Sequence, residues 1–376
     1  MATQATTHGE RGAVSPTETT PEQFDTIVIG GGQAGLAMGY HLKKHGRPFV
    51  ILDANDRIGG SWRTRTWHSL RLFTPARVDG LPGWPFPAPA WSYPTSNELA
   101  DYLEAYAQRF ELPVRSGVTV DRLAKDGDRY VVHAGDRRFE ADHVVVATGF
   151  YGKPTVPDFA SELDPRIVQM HSSKYREPSQ LREGEVLLVG AGNSGADIAM
   201  EVSRSHRTWL SGPDKGHIPF RIESRKARLL LPVLWLIASR VLTVKTPIGR
   251  KVRPHVLESG APLIRVQPDD LLAAGVERVP RTVRVENGLP VLEDGRVVEA
   301  ANVIWCTGFR LDFSWIDVPV FGEDGQPVHD RGAAPESGLY FLGLDFLVSF
   351  TSENVGGVGR DAAQIAKRIA SARTER

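Results

Sequence analysis

The sequence holds a single cysteine, Cys306, among 376 residues. That excludes an intramolecular disulfide and any Cys-x-x-Cys redox relay, and the chain is expected in a reducing cytoplasm. Neither charge is in excess, since 45 Lys and Arg balance 45 Asp and Glu. Neither a nucleic-acid partner nor a polyanionic surface is therefore expected. No apolar run reaches the roughly 18 residues that a bilayer-spanning helix needs. No metal site is expected, and no Ser-His-Asp or paired-carboxylate constellation stands out. Residues 1–23 are rich in Thr, Glu and Pro and lack an apolar h-region, which predicts a disordered tail, not a signal peptide.

What the chain does have is glycine in particular places. Asp25-Thr26-Ile27-Val28-Ile29 has the β-branched content of a buried parallel strand. It runs into Gly30-Gly31-Gly32-Gln33-Ala34-Gly35, which fits G-x-G-x-x-G at Gly30, Gly32 and Gly35. A helical stretch, 36–44, and a second strand, Phe49 to Leu52, lead to Asp53. Gly30 permits the tight turn, Gly32 lets backbone approach a pyrophosphate, and Gly35 lets helix and strand pack closely. The helix N-terminus offers orphan N–H groups to the phosphates, and Asp53 can accept from a ribose.

The pattern returns at Glu185. Val186 to Val189, Gly190-Ala191-Gly192-Asn193-Ser194-Gly195, a helix from Ala196 and a strand ending on Ser211 repeat the first unit. Two fingerprints imply two dinucleotides, because each βαβ unit cradles one pyrophosphate. Asp53 of the first copy corresponds to Ser211 of the second. An acid repels a 2′-phosphate, whereas Ser211 and Lys215 can hold one, with Arg204 and Arg207 next in line. The first site is thus expected to take FAD and the second NADPH, with Asp214 leaving use of NAD open as well. Each unit also closes alike, with Val145-Val146-Ala147-Thr148-Gly149-Phe150 and Val303-Ile304-Trp305-Cys306-Thr307-Gly308-Phe309. The predicted fold class is α/β, with two Rossmann-like dinucleotide-binding domains and the NADP domain inserted in the FAD domain. The boundaries are expected at 24–157 and 309–376 for FAD and 158–308 for NADP.

Between these landmarks, 55–93 reads as a long Pro- and Trp-rich loop. Gly59 and Gly60 there can lie against a flat ligand, with Trp62, Trp67, Trp84 and Trp91 lining a pocket or plugging the loop onto the core. Thr95-x-x-Glu98 opens a helix with Leu99, Tyr102, Leu103, Tyr106 and Phe110 at core spacing. Residues 117–140 predict a β-meander. The apolar run 229–242, within a segment 225–265, is read as a lid buried over the pocket, because Pro232 and apolar character all around suit burial. Peripheral membrane contact through 229–242 is the alternative. The last helix opens at Gly356-Gly357, whose N–H groups suit the pyrimidine edge of a flavin.

These parts in this order resemble the two-dinucleotide-binding flavoproteins, and within them the flavin-containing monooxygenases of the small bacterial and YUCCA-like plant type. Half of that family's identifying motif is present, as His171-Ser172-Ser173-Lys174-Tyr175, while Pro165 and Ile167 stand where Phe and Gly are usual. Arg71-Leu72-Phe73-Thr74-Pro75 carries no Asn where the drug-oxidising branch has one. The resemblance implies cofactor contacts at Gly30, Gly32, Gln33, Ala34, Gly35, Asp53, Gly60, Ser61, Trp62, Thr148 and Gly149. A second set comprises Gly190, Gly192, Asn193, Ser194, Gly195, Ser211, Lys215, Thr307, Gly308 and Gly357. It implies flavin-centred chemistry in which oxygen adds at the flavin C4a carbon, with Thr74, His171 and Tyr175 as candidate catalytic residues and His171 as a hinge. The partners implied are a small-molecule substrate and O2, with a homodimer left open. A reductase feeding a quinone or protein acceptor, Baeyer–Villiger oxygenation of a carbonyl, and a non-catalytic nucleotide-binding regulator are the other readings.

Overall fold

The computed structural model describes residues 21–149, 152–259 and 261–372. The expected tail lies outside these for 1–20, as does Phe150. Glu22 and Gln23, assigned to the tail, instead begin the first strand.

In chain order the first elements are β1 (Glu22–Ile29), α1 (Gln33–Lys44), β2 (Phe49–Leu52), α2 (Gly60–Thr64), α3 (Ser96–Arg109), β3 (Val114–Arg115), β4 (Arg122–Asp126), β5 (Arg129–Ala134) and β6 (Arg137–Val146). Then come β7 (Lys153–Pro154), β8 (Val168–His171), β9 (Glu185–Val189), α4 (Asn193–Val202), β10 (Thr208–Ser211), α5 (Arg225–Leu236), α6 (Pro247–Ser259), α7 (Pro268–Ala273), β11 (Glu277–Val279), β12 (Thr282–Glu286), β13 (Leu289–Leu292) and β14 (Ala300–Trp305). The chain ends with β15 (Phe309–Arg310), β16 (Ile316–Asp317), β17 (Leu339–Phe341) and α8 (Val355–Ala372).

One sheet has the order β16-β4-β5-β6-β1-β2-β3, with β17 added beside β6, and a second runs β11-β10-β9-β14-β8. The second sheet is parallel throughout. Its strands come only from 168–305, while the first sheet draws on 22–146 and 316–341. The mixed α/β fold with two dinucleotide-binding units is as the repeated pattern predicts.

The meander and the following buried strand prove to be fewer pieces than expected. The third meander run and the run through Val146 are one strand, β6. Its first half alternates in burial and pairs antiparallel with β5; its last residues are all buried and pair parallel with β1 and β17. A strand covered on one face alternates and a strand covered on both does not, so one strand carries both patterns. The capping box at α3 forms: Glu98 N–H donates to Thr95 Oγ1 at 3.1 Å, and Thr95 N–H donates to the Glu98 carboxylate at 2.7 Å. Leu99, Tyr102, Leu103 and Tyr106 are buried on its core face. Val358, Ala362, Ile365 and Ile369, spaced one turn apart, bury the matching face of α8 against α1.

The stretch 55–93 is less loose than its composition suggests. It contains α2, a 3-10 turn at Ala76–Val78, and single bridges joining Arg71 to Thr95 and Leu81 to Trp84. Trp67 is buried in the core beneath the second sheet, and Trp84 packs on the first core under the Arg109 guanidinium.

Candidate functional site

At the first glycine loop the backbone does what the residues require. Gly30 has φ +111°, and a β-carbon there would stand 2.4 Å from the Ala147 carbonyl oxygen. One on Gly35 would stand 1.8 Å from the Gly30 oxygen, so α1 rests directly on the loop. Gly32 caps α1 in an extended conformation, and a β-carbon there would meet no protein atom within 4 Å. The space it would fill belongs to a cavity of about 300 Å³. Gly30, Gly32, Gln33, Ala34, Asp53, Gly60, Ser61, Trp62, Thr148 and Gly149 all line it, whereas Gly35 serves the packing behind them. This cradle of open N–H groups at a helix N-terminus fits a pyrophosphate.

Asp53 is buried at the end of β2, where it accepts from Gly31 N–H at 2.9 Å and from the Asn55 backbone and side chain at 2.8 and 2.7 Å. The wall facing it comes from α2 and from Trp62, whose indole N–H points to the Gln33 side chain at 3.4 Å. The closing end of the cavity differs from expectation. Gly357 does not line it; a β-carbon there would lie 1.7 Å from the Thr351 oxygen, so this glycine permits a tight turn into α8. Gly343 and Glu353 line the cavity instead. Burial and the neighbouring Asp345 carboxyl push the Glu353 pKa up, which keeps Glu353 protonated near neutrality. No local pattern distinguishes Glu353 in the sequence.

The second glycine loop repeats the first closely. Gly190 has φ +113° with the Cys306 oxygen 2.2 Å from a would-be β-carbon, Gly195 abuts the Gly190 oxygen at 1.9 Å, and Gly192 faces open space. Those residues fit a second pyrophosphate. Around them several expected contacts are committed elsewhere. Asn193 donates to Pro262 O and accepts from Ile264 N–H, both at 2.9 Å, which pins the 262–264 segment to the start of α4. Ser194 follows Asn193 in the first turn of α4. Ser211 is fully buried, and its hydroxyl bonds to Pro280 O and the Thr282 hydroxyl, both at 2.8 Å. Arg207, at the opposite end of β10, pairs with Glu185 and Glu277. A cation that the sequence did not single out is Arg278, exposed on β11 and donating to Gly212 O at 3.2 Å, with the Asp214 carboxylate acting on its charge. Thr307 donates to Thr155 O, and Thr155 N–H donates to Gly308 O at 2.9 Å, so this pair ties the closing strand to the chain entering the second sheet.

Two of the three candidate catalytic residues are structural. His171 Nδ1 accepts from Ser173 N–H at 3.1 Å, which leaves Nε2 to donate to Gly308 O at 3.0 Å. Burial holds its pKa below the ordinary value, with the Gly308 bond opposing. Tyr175 is fully buried and donates to Glu201 at 3.0 Å. Burial, then Glu201, raises its pKa. The lone Cys306 thiol is pushed up to about 12 by burial and is no nucleophile.

Thr74 is different, because it lines a second cavity of about 200 Å³. Phe73, Trp91, Phe220, Trp235 and Phe350 make that cavity aromatic, and Arg77, stacked 4.7 Å over Trp91, is its one charged lining residue. Thr74 Oγ1 lies 2.6 Å from Asp79, a wholly buried carboxyl whose pKa burial raises to about 7. Leu231, Pro232, Leu234 and Trp235 roof the cavity from α5, with Ala238 on the π-helical turn that follows. The two cavities are neighbours: Glu353 lines the first, and Thr351 and Asn354 line the second. Among the described residues there is no cluster of metal-ligating side chains, and no helix is long and apolar enough to cross a membrane.

Comparison with known proteins agrees with this geometry. Residues 27–210 match the family described as pyridine nucleotide-disulphide oxidoreductase. An uncharacterized CzcO-like oxidoreductase of Geobacillus kaustophilus is 39% identical, over 92% of this chain and 98% of its own. A probable indole-3-pyruvate monooxygenase of Arabidopsis thaliana is 30% identical, over 92% and 86%. Among solved structures, a flavin-containing monooxygenase from Stenotrophomonas maltophilia superposes with TM-score 0.76 at 31% identity, covering 94% of this chain and 99% of that one.

Proposed function

The chain belongs to the flavin-containing monooxygenase family, and from that premise we propose that it is an FAD-dependent, NADPH-consuming monooxygenase acting on a small, aromatic organic substrate in the second cavity. The observation that carries this reading is the adjacency of the two cavities across residues 351–354. FAD, when bound, would supply hydride acceptance from NADPH and the activation of O2. Everything else falls to the chain. Gly30 to Gly32 and the start of α1 hold the FAD pyrophosphate, Asp53 accepts from its ribose, and Trp62 with Thr148 and Gly149 walls the site. Gly190 to Gly195 hold the NADPH pyrophosphate, with Arg278 and Lys215 as the cations for its 2′-phosphate, in place of Ser211.

Glu353 holds a proton on the wall between the cavities, where an oxygen atom leaving as water would need one. The lining of the second cavity is mostly apolar and disfavours water, and its polar groups are the Thr74 and Thr351 hydroxyls, Asn354 and Arg77. Five aromatic rings and one guanidinium suit an aryl or indolyl compound bearing a carboxylate. The relatives named for indole-3-pyruvate support that class. The test is NADPH-driven oxygen consumption across aryl keto acids, amines and sulfides under labelled O2. Label in the product is expected; rapid quinone reduction with no label incorporated would hand the chain to the reductase reading.

A further inference from the structure

The apolar run 229–242 was expected to be buried all round. It is not. The face carrying Leu231, Trp235 and Ala238 roofs the second cavity, but the opposite face is open to solvent. Leu229 is 78% exposed, Val233 54% and Leu236 51%, spaced four and three residues apart, so they form one stripe along α5. Ile237 and Val241, also exposed, carry the apolar surface onto the π-helical turn at Ile237–Val241. An apolar patch this continuous on a surface marks an interaction site.

Charge says with what. Between 225 and 257 the sequence has eight Lys or Arg (Arg225, Lys226, Arg228, Arg240, Lys245, Arg250, Lys251, Arg253) and no Asp or Glu. All but Arg253 are exposed. Among the described residues the ion pairs all lie elsewhere, and none uses any of these eight. A chain with zero net charge has therefore gathered, along this exposed apolar stripe, cations that make no ion pair among the described residues. A second copy presenting the same face would meet like charge with like. An anionic bilayer surface meets both demands, taking the leucines into the acyl boundary and the cations at its head groups.

We propose that α5 and the π-helical turn form a docking face for anionic lipid membranes, with Leu229, Val233 and Leu236 inserted and the Lys and Arg of 225–253 on the head groups. The probe is flotation of the FAD-loaded full chain with vesicles of phosphatidylcholine alone and of phosphatidylcholine mixed with phosphatidylglycerol. Binding is expected only to the mixed vesicles and is expected to weaken as salt rises. The triple substitution Leu229→Gln, Val233→Gln, Leu236→Gln should lower that binding by at least about tenfold while flavin content and thermal unfolding stay unchanged. A second variant, Arg225→Gln, Lys226→Gln, Lys251→Gln, should remove the preference for the anionic lipid. Three outcomes overturn the proposal: no binding to the mixed vesicles, equal binding by the triple variant, or a dimer in light scattering that the triple substitution dissolves.

Discussion

At the first glycine loop Gly31 lies against Asp53; at the second the same two places hold Ala191 and Ser211. The loops otherwise agree, from φ at Gly30 and Gly190 to the open space at Gly32 and Gly192. The two differences are one difference. A β-carbon on Gly31 would stand 2.4 Å from the Asp53 carboxylate, so the acid requires glycine across from it. Ser211 is shorter and turns inward to Thr282, which makes room for the Ala191 methyl. A buried acid and the glycine across from it thus travel together, and giving up the acid frees the position for alanine.

The largest effects should come where the copies agree. Gly32→Ala and Gly192→Ala place a methyl into each cradle without touching protein, so unfolding temperatures should hardly move. Gly32→Ala should weaken FAD binding at least hundredfold, about 2.7 kcal/mol, read as flavin released on gel filtration. Gly192→Ala should keep its flavin yet lose rapid reduction by NADPH in stopped flow. A yellow, fully loaded Gly32→Ala protein would mean that the first cradle does not hold FAD.

Each unit also hides an acid, and here the copies diverge. Asp79 has no cation against it, and burial carries its pKa to about 7; Asp197, with Arg265 at 3.9 Å, is carried to about 6. A folded pKa above the ordinary carboxyl value means stability that is complete in acid and lost as pH rises through the folded pKa. Asp79→Asn should therefore stabilise the protein above pH 7 by roughly 2–4 kcal/mol and change little near pH 4. Asp197→Asn should gain less, about 1 kcal/mol, since it also leaves Arg265 without that partner. Denaturant titrations across pH decide both.

Smaller still is the coupling itself. Gly31→Ala and Asp53→Ser should each destabilise, but the double variant, which reproduces the second copy, should cost about 1–2 kcal/mol less than their sum. Strict additivity would show that the two positions are independent. At the second site, Arg278→Gln should raise the KM for NADPH over that for NADH by about tenfold, roughly 1.4 kcal/mol. Equal changes for both coenzymes would place the 2′-phosphate elsewhere.

Strand, glycine loop and helix could be read in the sequence because each is fixed by residues within a few positions of one another. The capping box at Thr95 and the cradles at Gly32 and Gly192 are of that kind. Residues whose role depends on distant partners could not be read so. Ser211 looked like a phosphate ligand until Thr282 and Pro280, about 70 residues on, were seen to take its hydroxyl. Tyr175 is a catalytic candidate in the sequence, yet Glu201, 26 residues on, takes its hydroxyl, and Gly308 holds His171. The second cavity gathers Phe73, Trp91, Phe220, Trp235 and Phe350 from four separate segments, and no spacing announces it. The run 229–242 misled for another reason: apolar residues all round a helix predict burial all round, but only half of this one faces protein.

The short ribbon of β7 and β15 has a consequence for how such a molecule can be assembled. Lys153–Pro154 and Phe309–Arg310 are paired antiparallel, and Thr155 N–H reaches Gly308 O. The chain thus leaves the first sheet and comes back to it through two touching strands, while 222–244 packs back onto the first unit, with Tyr93 donating to Ile222 O and Arg360 to Ser239 O. A segment attached in this way can be swapped, transplanted or shortened to a tight turn without severing any strand of the larger sheet. For the protein engineer, Pro154 and Phe309 are the seam at which the inserted segment joins the first sheet's part of the chain.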